Sequence, residues 1–281
     1  MGGCSSNKYN LLNYDRTQRT LQSFGKNRHD RFRNLFGIVM IPSLPIATVN
    51  GAYLLLMLTA IATTGVLLRF SQEKLPLARW EKVAIGMGAF CGAMLGAKLP
   101  FLLLDWEGLR SGYAWFADGK TIMCGLAGAY LGVEVTKWSL EIRTKTGDSF
   151  AAPVAVGVAI GRVACFVGGC CFGSPTALPW GVCFPATAGD ALPRHPTQLY
   201  EAIFHASMAG LLYLLKSLGV WRGQLAKFYI LAYLAYRFLT EYIRPEPQIF
   251  AGLTAYQWAA LAMIPLFAWL WYRDAMIPRD P

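Results

Sequence analysis

The sequence predicts an all-α, polytopic membrane bundle of about seven transmembrane helices. Three observations carry that expectation. The 281 residues are 55% hydrophobic and only 15% charged, a balance that a water-soluble domain of this size rarely shows. Apolar stretches recur at 51–68, 83–104, 121–136, 150–167, 199–215, 225–243 and 253–272, each near or above the roughly 17 residues needed to cross a ~30 Å hydrocarbon layer. The basic residues, finally, collect in short connections between those stretches.

In chain order, residues 1–35 form a polar, basic tail with no apolar run long enough for a signal-peptide core. Its start, Met1-Gly2-Gly3-Cys4-Ser5-Ser6, formally matches a myristoylation site with Cys4 as a palmitoylation candidate, a reading that needs a eukaryotic cytosol. Residues 36–49 are apolar, hold two prolines and are too short to span, so an interfacial or re-entrant segment is expected there. From 36 to 281 the chain reads as one transmembrane domain. Its third and fifth spans are interrupted by Glu134 and His205.

Arg69, Lys74, Arg79 and Lys82, then Lys137, Arg143 and Lys145, then Lys216, Arg222 and Lys227, and finally Arg273 and Arg279 fall in alternate connections, against Arg110, Lys120, Arg194 and Arg244 in the others. Positive charge is retained on the cytoplasmic side, so this asymmetry puts the N-terminus outside and the 175–198 loop external. It also explains a net charge of +10 without a nucleic-acid partner.

Lys98, Arg162 and Arg237 lie inside spans, with Glu134 and Glu241 as acidic company. A central Arg or Lys costs at least ~2.5–3.5 kcal/mol, so each should face the interior with a partner. Lys98 and Glu134 fit a structural ion pair as well as a functional role. Tyr233, Arg237 and Glu241 recur every four residues with Arg244 beyond them, which on one helix would make a strip suited to an anionic headgroup.

The densest chemistry lies in GRVACFVGGCCFG at 161–173, PTALPWGVCF at 175–184 and RHPTQLYEA at 194–202, followed by YLAYRFLTEYIRPEP at 233–247. In order and separation these blocks resemble the prolipoprotein diacylglyceryl transferases, and the resemblance covers most of 50–272. Several positions depart from that family's pattern. Cys165 stands where it has Asn, Cys170 where it has Glu, and Lys98 where it has Arg. Met123-Cys124-Gly125 replaces a His-Gly-Gly block, and Thr48-Val49-Asn50-Gly51 replaces a His-x-Tyr-Gly block. The chain looks like a divergent, cysteine-containing branch.

The resemblance implies transfer of a diacylglyceryl group from phosphatidylglycerol to the cysteine thiol of a lipoprotein precursor, in the bacterial cytoplasmic membrane and without a cofactor. Such chemistry needs cations on the phosphate leaving group, and Arg162 and Arg237 are the natural pair because guanidinium forks match phosphate oxygens. A base must help the thiol ionise, for which His195 and Glu241 are candidates. Lys98, Gly173, Arg194, Gln198, Tyr200, Tyr233 and Arg244 complete the expected substrate-binding set, with Gln198, Tyr200 and Glu201 equally able to order the external loop.

Cys165, Cys170, Cys171 and Cys183 support a rival reading, a thiol redox membrane protein; a family member that binds phospholipid without catalysis is a third. The spacing contains no C-x-x-C and His195 is the only histidine nearby, so a metal site ranks third, behind close packing of small residues and thiol chemistry. In an oxidising compartment a Cys165–Cys170 or Cys171–Cys183 disulfide would be within chemical reason.

Overall fold

A computed structural model describes residues 51–104, 110, 121–188 and 192–276. The tail, the 36–49 segment, Cys4 and the Thr48–Asn50 positions lie outside these residues. Seven long helices hold most of the described residues: α1 (Gly51–Gln72), α2 (Arg79–Leu104), α3 (Ile122–Ser139), α4 (Gly147–Val167), α5 (Thr197–Ser217), α6 (Leu225–Thr240) and α7 (Ala255–Met276). They coincide with the seven apolar stretches. Three of them, α1, α2 and α4, contain segments long and apolar enough to cross a membrane by length and composition.

Two small antiparallel ribbons interrupt the helices. Strands β1 (Val182–Cys183) and β2 (Pro193–Arg194) pair between α4 and α5, and β3 (Gln248–Phe250) and β4 (Leu253–Thr254) pair between α6 and α7.

The distribution of side chains suits lipid rather than water. Leu54, Leu55, Leu58, Ile61, Val66 and Phe70 stand exposed along α1, while Lys98, Arg162, Gln198, Glu201, His205, Arg237 and Glu241 are buried. A soluble protein could not present so continuous an apolar exterior. In hydrocarbon it costs nothing, and the charges are the groups that must turn inward. The chain is a multi-pass membrane protein.

The described residues divide into two compact units. Among the described residues, one takes those from Gly51 to Thr63, Val156–Ser207 and Thr240–Gln257; the other takes those within Thr64–Ala155, Met208–Leu239 and from Trp258 to Met276.

In the second unit α2 and α3 meet backbone to backbone. A Cβ added at Gly92 would lie 2.2 Å from the Gly128 carbonyl oxygen, one at Gly96 2.3 Å from that of Cys124, and one at Gly132 2.1 Å from that of Gly88. Lipid tails are as apolar as leucine, so close van der Waals contact is the main attraction left between such helices, and glycine every fourth residue provides it. Basic connections gather in the same unit. Lys216 Nζ donates to Ser71 Oγ at 2.6 Å, Lys227 pairs with Asp274 at 2.7 Å, and the Asp148 carboxylate accepts from the Gly223 and Leu225 amides at the start of α6. Glu134 pairs with Lys137 at 3.2 Å, so its partner is a neighbour on its own helix. Lys98 is buried near the end of α2.

The late helix departs from expectation. Helix α6 stops at Thr240, Glu241–Ile243 forms a 3-10 turn, and Arg244 is extended with φ −108° and ψ 150°. Pro245 explains this, because a proline's ring disfavours the α conformation in the residue before it. Tyr233 and Arg237 therefore share a helical face, and Arg244 lies beyond the helix in extended chain.

Candidate functional site

The first unit assembles most of the sequence-predicted polar residues. Its foundation is the C-terminus of α4, where Gly169 takes φ +66°. The Gly169 amide donates to the Phe166 carbonyl and the Cys170 amide to the Cys165 carbonyl, each at 3.1 Å. This is the Schellman ending, in which a left-handed residue lets the chain double back over the last helical turn. It places residue 170 beside residue 165. Cys171 follows at φ +61°, and the three sulfurs of Cys165, Cys170 and Cys171 lie within 4.8 Å of one another.

All three are free thiols, which corrects the two disulfides suggested by the sequence. Neither Cys165–Cys170 nor Cys171–Cys183 is formed. Convergence of the sulfurs comes from the backbone turn and needs no covalent bond. Hydrogen bonds from the Cys165 and Cys170 thiols, reinforced by the Arg162 and Arg244 charges, pull the Cys171 thiol well below its ordinary range. Cys170, sharing hydrogen bonds with both other thiols, is pushed up and holds its proton.

The start of α5 grips this turn. The Thr197 hydroxyl donates to the Cys171 carbonyl at 2.8 Å, and the Gln198 amide to the Cys170 carbonyl. Gly173 is where three segments touch. Its amide donates to the His195 carbonyl at 2.8 Å, and a Cβ there would come within 2.7 Å of both His195 Cβ and the Ile243 carbonyl oxygen. No residue with a side chain fits. Ser174 continues the seam by donating amide and hydroxyl to the Ile243 carbonyl.

One turn deeper in α5 lies Glu201. Arg162 Nη2 donates to Glu201 Oε1 at 2.9 Å. His205 Nε2 and Arg244 Nη1 each stand 3.9 Å from the same carboxylate. One acid thus holds two guanidinium groups in a dry space, for the Glu201 side chain is 2% exposed. Two guanidinium groups thus lie within 4 Å of one buried carboxylate. The Nε of Arg244 and the Oε1 of Gln198 are buried and lack a hydrogen-bond partner among the described residues, so this centre retains donor and acceptor capacity.

Tyr200 organises the other side. Its hydroxyl oxygen accepts from Trp180 Nε1 at 2.8 Å and lies 3.3 Å from His195 Nδ1. Burial pulls the His195 pKa down, so its imidazole is neutral at neutral pH. Arg194 sits over the Phe172 ring, 5.1 Å from its centroid, and Phe172 in turn stacks on Phe184. Beside them an open cavity of about 370 Å³ is lined by Phe166, Val167, Gly168, Gly169, Phe184 and Thr187.

Glu241 is engaged elsewhere. Thr254 is the N-cap of α7 and exchanges hydrogen bonds with Gln257 at the third helical position, and its hydroxyl also donates to Glu241 Oε1 at 2.9 Å. This capping box ties the 3-10 turn to the start of α7, with the Glu241 carboxylate accepting from the Thr254 hydroxyl. Arg237 and Tyr233 are buried in α6 and belong to the second unit, as does Lys98.

Sequence reasoning missed one participant. By residue type and position Glu201 reads as an ordering residue of the loop, yet it is the anion of the centre; its four-residue spacing to His205 was the available signal. The cysteine convergence was also readable, since Gly-Gly after an apolar helix marks a Schellman ending, and that motif makes positions five apart neighbours.

Comparison with known proteins adds independent findings. A family model described as prolipoprotein diacylglyceryl transferase matches residues 39–273. The phosphatidylglycerol–prolipoprotein diacylglyceryl transferase of Cupriavidus metallidurans is 37% identical over 190 residues, covering 63% of this chain and 69% of the relative. That of Solidesulfovibrio magneticus is 35% identical over 217 residues, covering 71% and 77%, and that of Bordetella parapertussis 32% over 200 residues, covering 66% and 75%. No solved structure matches.

Proposed function

The chain belongs to the prolipoprotein diacylglyceryl transferase family, and from that premise we propose how its own residues perform diacylglyceryl transfer from phosphatidylglycerol to a prolipoprotein cysteine in the bacterial cytoplasmic membrane. In this reaction the substrate thiol loses its proton, a sulfur–carbon bond forms at the glyceryl carbon, and the carbon–oxygen bond to phosphate breaks. The electron pair leaves on the phosphate oxygen, and glycerol phosphate departs. The observation that carries the proposal is the buried carboxylate of Glu201, which has the guanidinium groups of Arg162 and Arg244 within 4 Å and leaves an Arg244 N–H without an acceptor among the described residues.

Arg244 and Arg162 receive the phosphate, and a dry site makes each cation count for more as charge develops there. Glu201 keeps the two guanidinium groups in place before substrate arrives. His195 takes the thiol proton: with Nδ1–H donated to the Tyr200 hydroxyl, Nε2 is left as the acceptor. Gln198 and Gly173 shape the turn against which substrate lies, and Arg194 lends a cation beside it. Within the second unit, Arg237 with Tyr233 and Lys98 offers an anionic headgroup its own cationic contacts. Membership of the family supports the substrates; the polar cluster supports the roles.

The test is transfer of labelled diacylglyceryl from phosphatidylglycerol to a lipobox peptide, together with rescue of a bacterium depleted of its own transferase. Arg244→Lys and Arg237→Lys should each lower transfer far more than Cys170→Ser, since lysine keeps the charge and loses the two-pronged hydrogen bond. The three free thiols favour a second reading, a redox protein, in which Cys170→Ser would be the damaging change and the lysine variants would be tolerated.

A further inference from the structure

The reaction above makes no use of the most concentrated soft chemistry in the molecule. Cys165, Cys170 and Cys171 bring three sulfurs within 4.8 Å of one another, all as free thiols. The arrangement is built by the backbone rather than by loose proximity. The Schellman ending at Gly169 sets Cys170 over Cys165, and the left-handed conformation of Cys171 turns the next side chain back toward both. Hydrogen bonds from Gln198 and Thr197 to the carbonyls of Cys170 and Cys171 fix the turn from outside. Outer contacts of this kind commonly orient metal ligands and tune their affinity.

We propose that these three cysteines form a binding site for a soft, thiophilic metal ion, and that monovalent copper is the ion that suits them. The cluster offers three sulfurs and neither imidazole nor carboxylate. Structural zinc sites take four protein ligands, while Cu(I), which thiolates bind as readily as they do zinc, is satisfied by three sulfurs alone. Each thiol that binds releases its proton to water. Arg162 and Arg244, whose charges act on Cys171, offset the negative charge that the thiolates accumulate. An access route exists because Cys171 is exposed while Cys165 and Cys170 are half-buried.

The proposal stands apart from the transferase reading, and its test needs no activity. The intact protein in detergent, reduced and kept under argon, is titrated with monovalent copper in competition with a chromophoric copper chelator, then alkylated with N-ethylmaleimide and mapped by mass spectrometry. One equivalent of copper should suppress labelling of Cys165, Cys170 and Cys171 together and leave that of Cys91, on α2, at its copper-free level. Cys170→Ser should weaken copper binding by more than the roughly 10–100-fold typical of losing an outer-shell contact. Cys91→Ser should leave binding unchanged. Copper that protects none of the three, protects Cys91 equally, or binds Cys170→Ser as tightly as the unmutated chain would overturn the proposal. The labelling map of the unmutated protein decides between these outcomes even if the serine variant fails to fold.

Discussion

Replacing Glu201 by Gln should destabilise the protein by about 2–3 kcal/mol, as a buried ion pair that loses its charge but keeps an acceptor. The side chains of Arg162 and Glu201 are 11% and 2% exposed and meet at 2.9 Å. Breaking a buried pair by deleting one partner typically costs about 3–5 kcal/mol, because the remaining charge is stranded. Glutamine keeps an acceptor oxygen where Arg162 needs one, and a hydrogen bond to a charged group is worth about 1.5–3 kcal/mol, so part of the loss is recovered. Against that, Arg162 and Arg244 then lose the carboxylate they share. Unfolding in mixed micelles of mild detergent and dodecyl sulfate measures the difference. The sharper measurement is a double-mutant cycle with Arg162→Gln, which isolates the pair term. A coupling below about 0.5 kcal/mol would refute the claim that Glu201 is the anion holding this centre together.

Three further outcomes follow from other contacts. Thr254→Val removes the N-cap of α7 and the hydroxyl bound to Glu241, and should cost about 1–2 kcal/mol in the same micelle assay. Glu141 closes α3 with φ +54° and is exposed; because a left-handed non-glycine residue costs about 1–2 kcal/mol, Glu141→Gly should raise the unfolding midpoint despite glycine's larger backbone entropy. His195 has a lowered pKa, so the unfolded chain binds its proton more readily. The associated stability is therefore complete above the unfolded value of about 6.5 and is lost as pH falls through the lower folded one. Comparing His195→Gln with the unmutated chain between about pH 7.5 and about pH 5, which spans that range, should show a shallower acid loss in the variant; parallel curves would count against burial as the cause.

The helices were legible because lipid imposes one rule on every span, so apolar length alone located all seven. Their ends were less legible where a local residue overrode the pattern. Pro245 is the clearest case: a four-residue repeat of Tyr233, Arg237 and Glu241 reads as one continuous face, while the proline ends the helix by forcing Arg244 into an extended conformation. The short ribbons were illegible for a different reason. Val182–Cys183 and Pro193–Arg194 are two residues each, too short for alternation to register. Arg162, Gly173, Gln198 and Tyr200, to which the family resemblance pointed, lie in the same unit as Glu201. The partnership of Glu201 with both Arg162 and Arg244 joins residues 39 and 43 positions apart in the chain, and local periodicity carries no information at that distance.

The glycine seam between α2 and α3 also restricts how this pair can move. Where backbone lies on backbone, rotation of either helix, or a slide of one or two residues, drives a side chain into a carbonyl. Gly88, Gly92 and Gly96 are spaced by four, as are Gly128 and Gly132, so the displacement that again sets glycine against glycine is a full step of four residues, about 6 Å along the axis. The contact behaves as a ratchet with discrete teeth, and any shift between these two helices in a working cycle would be all or none.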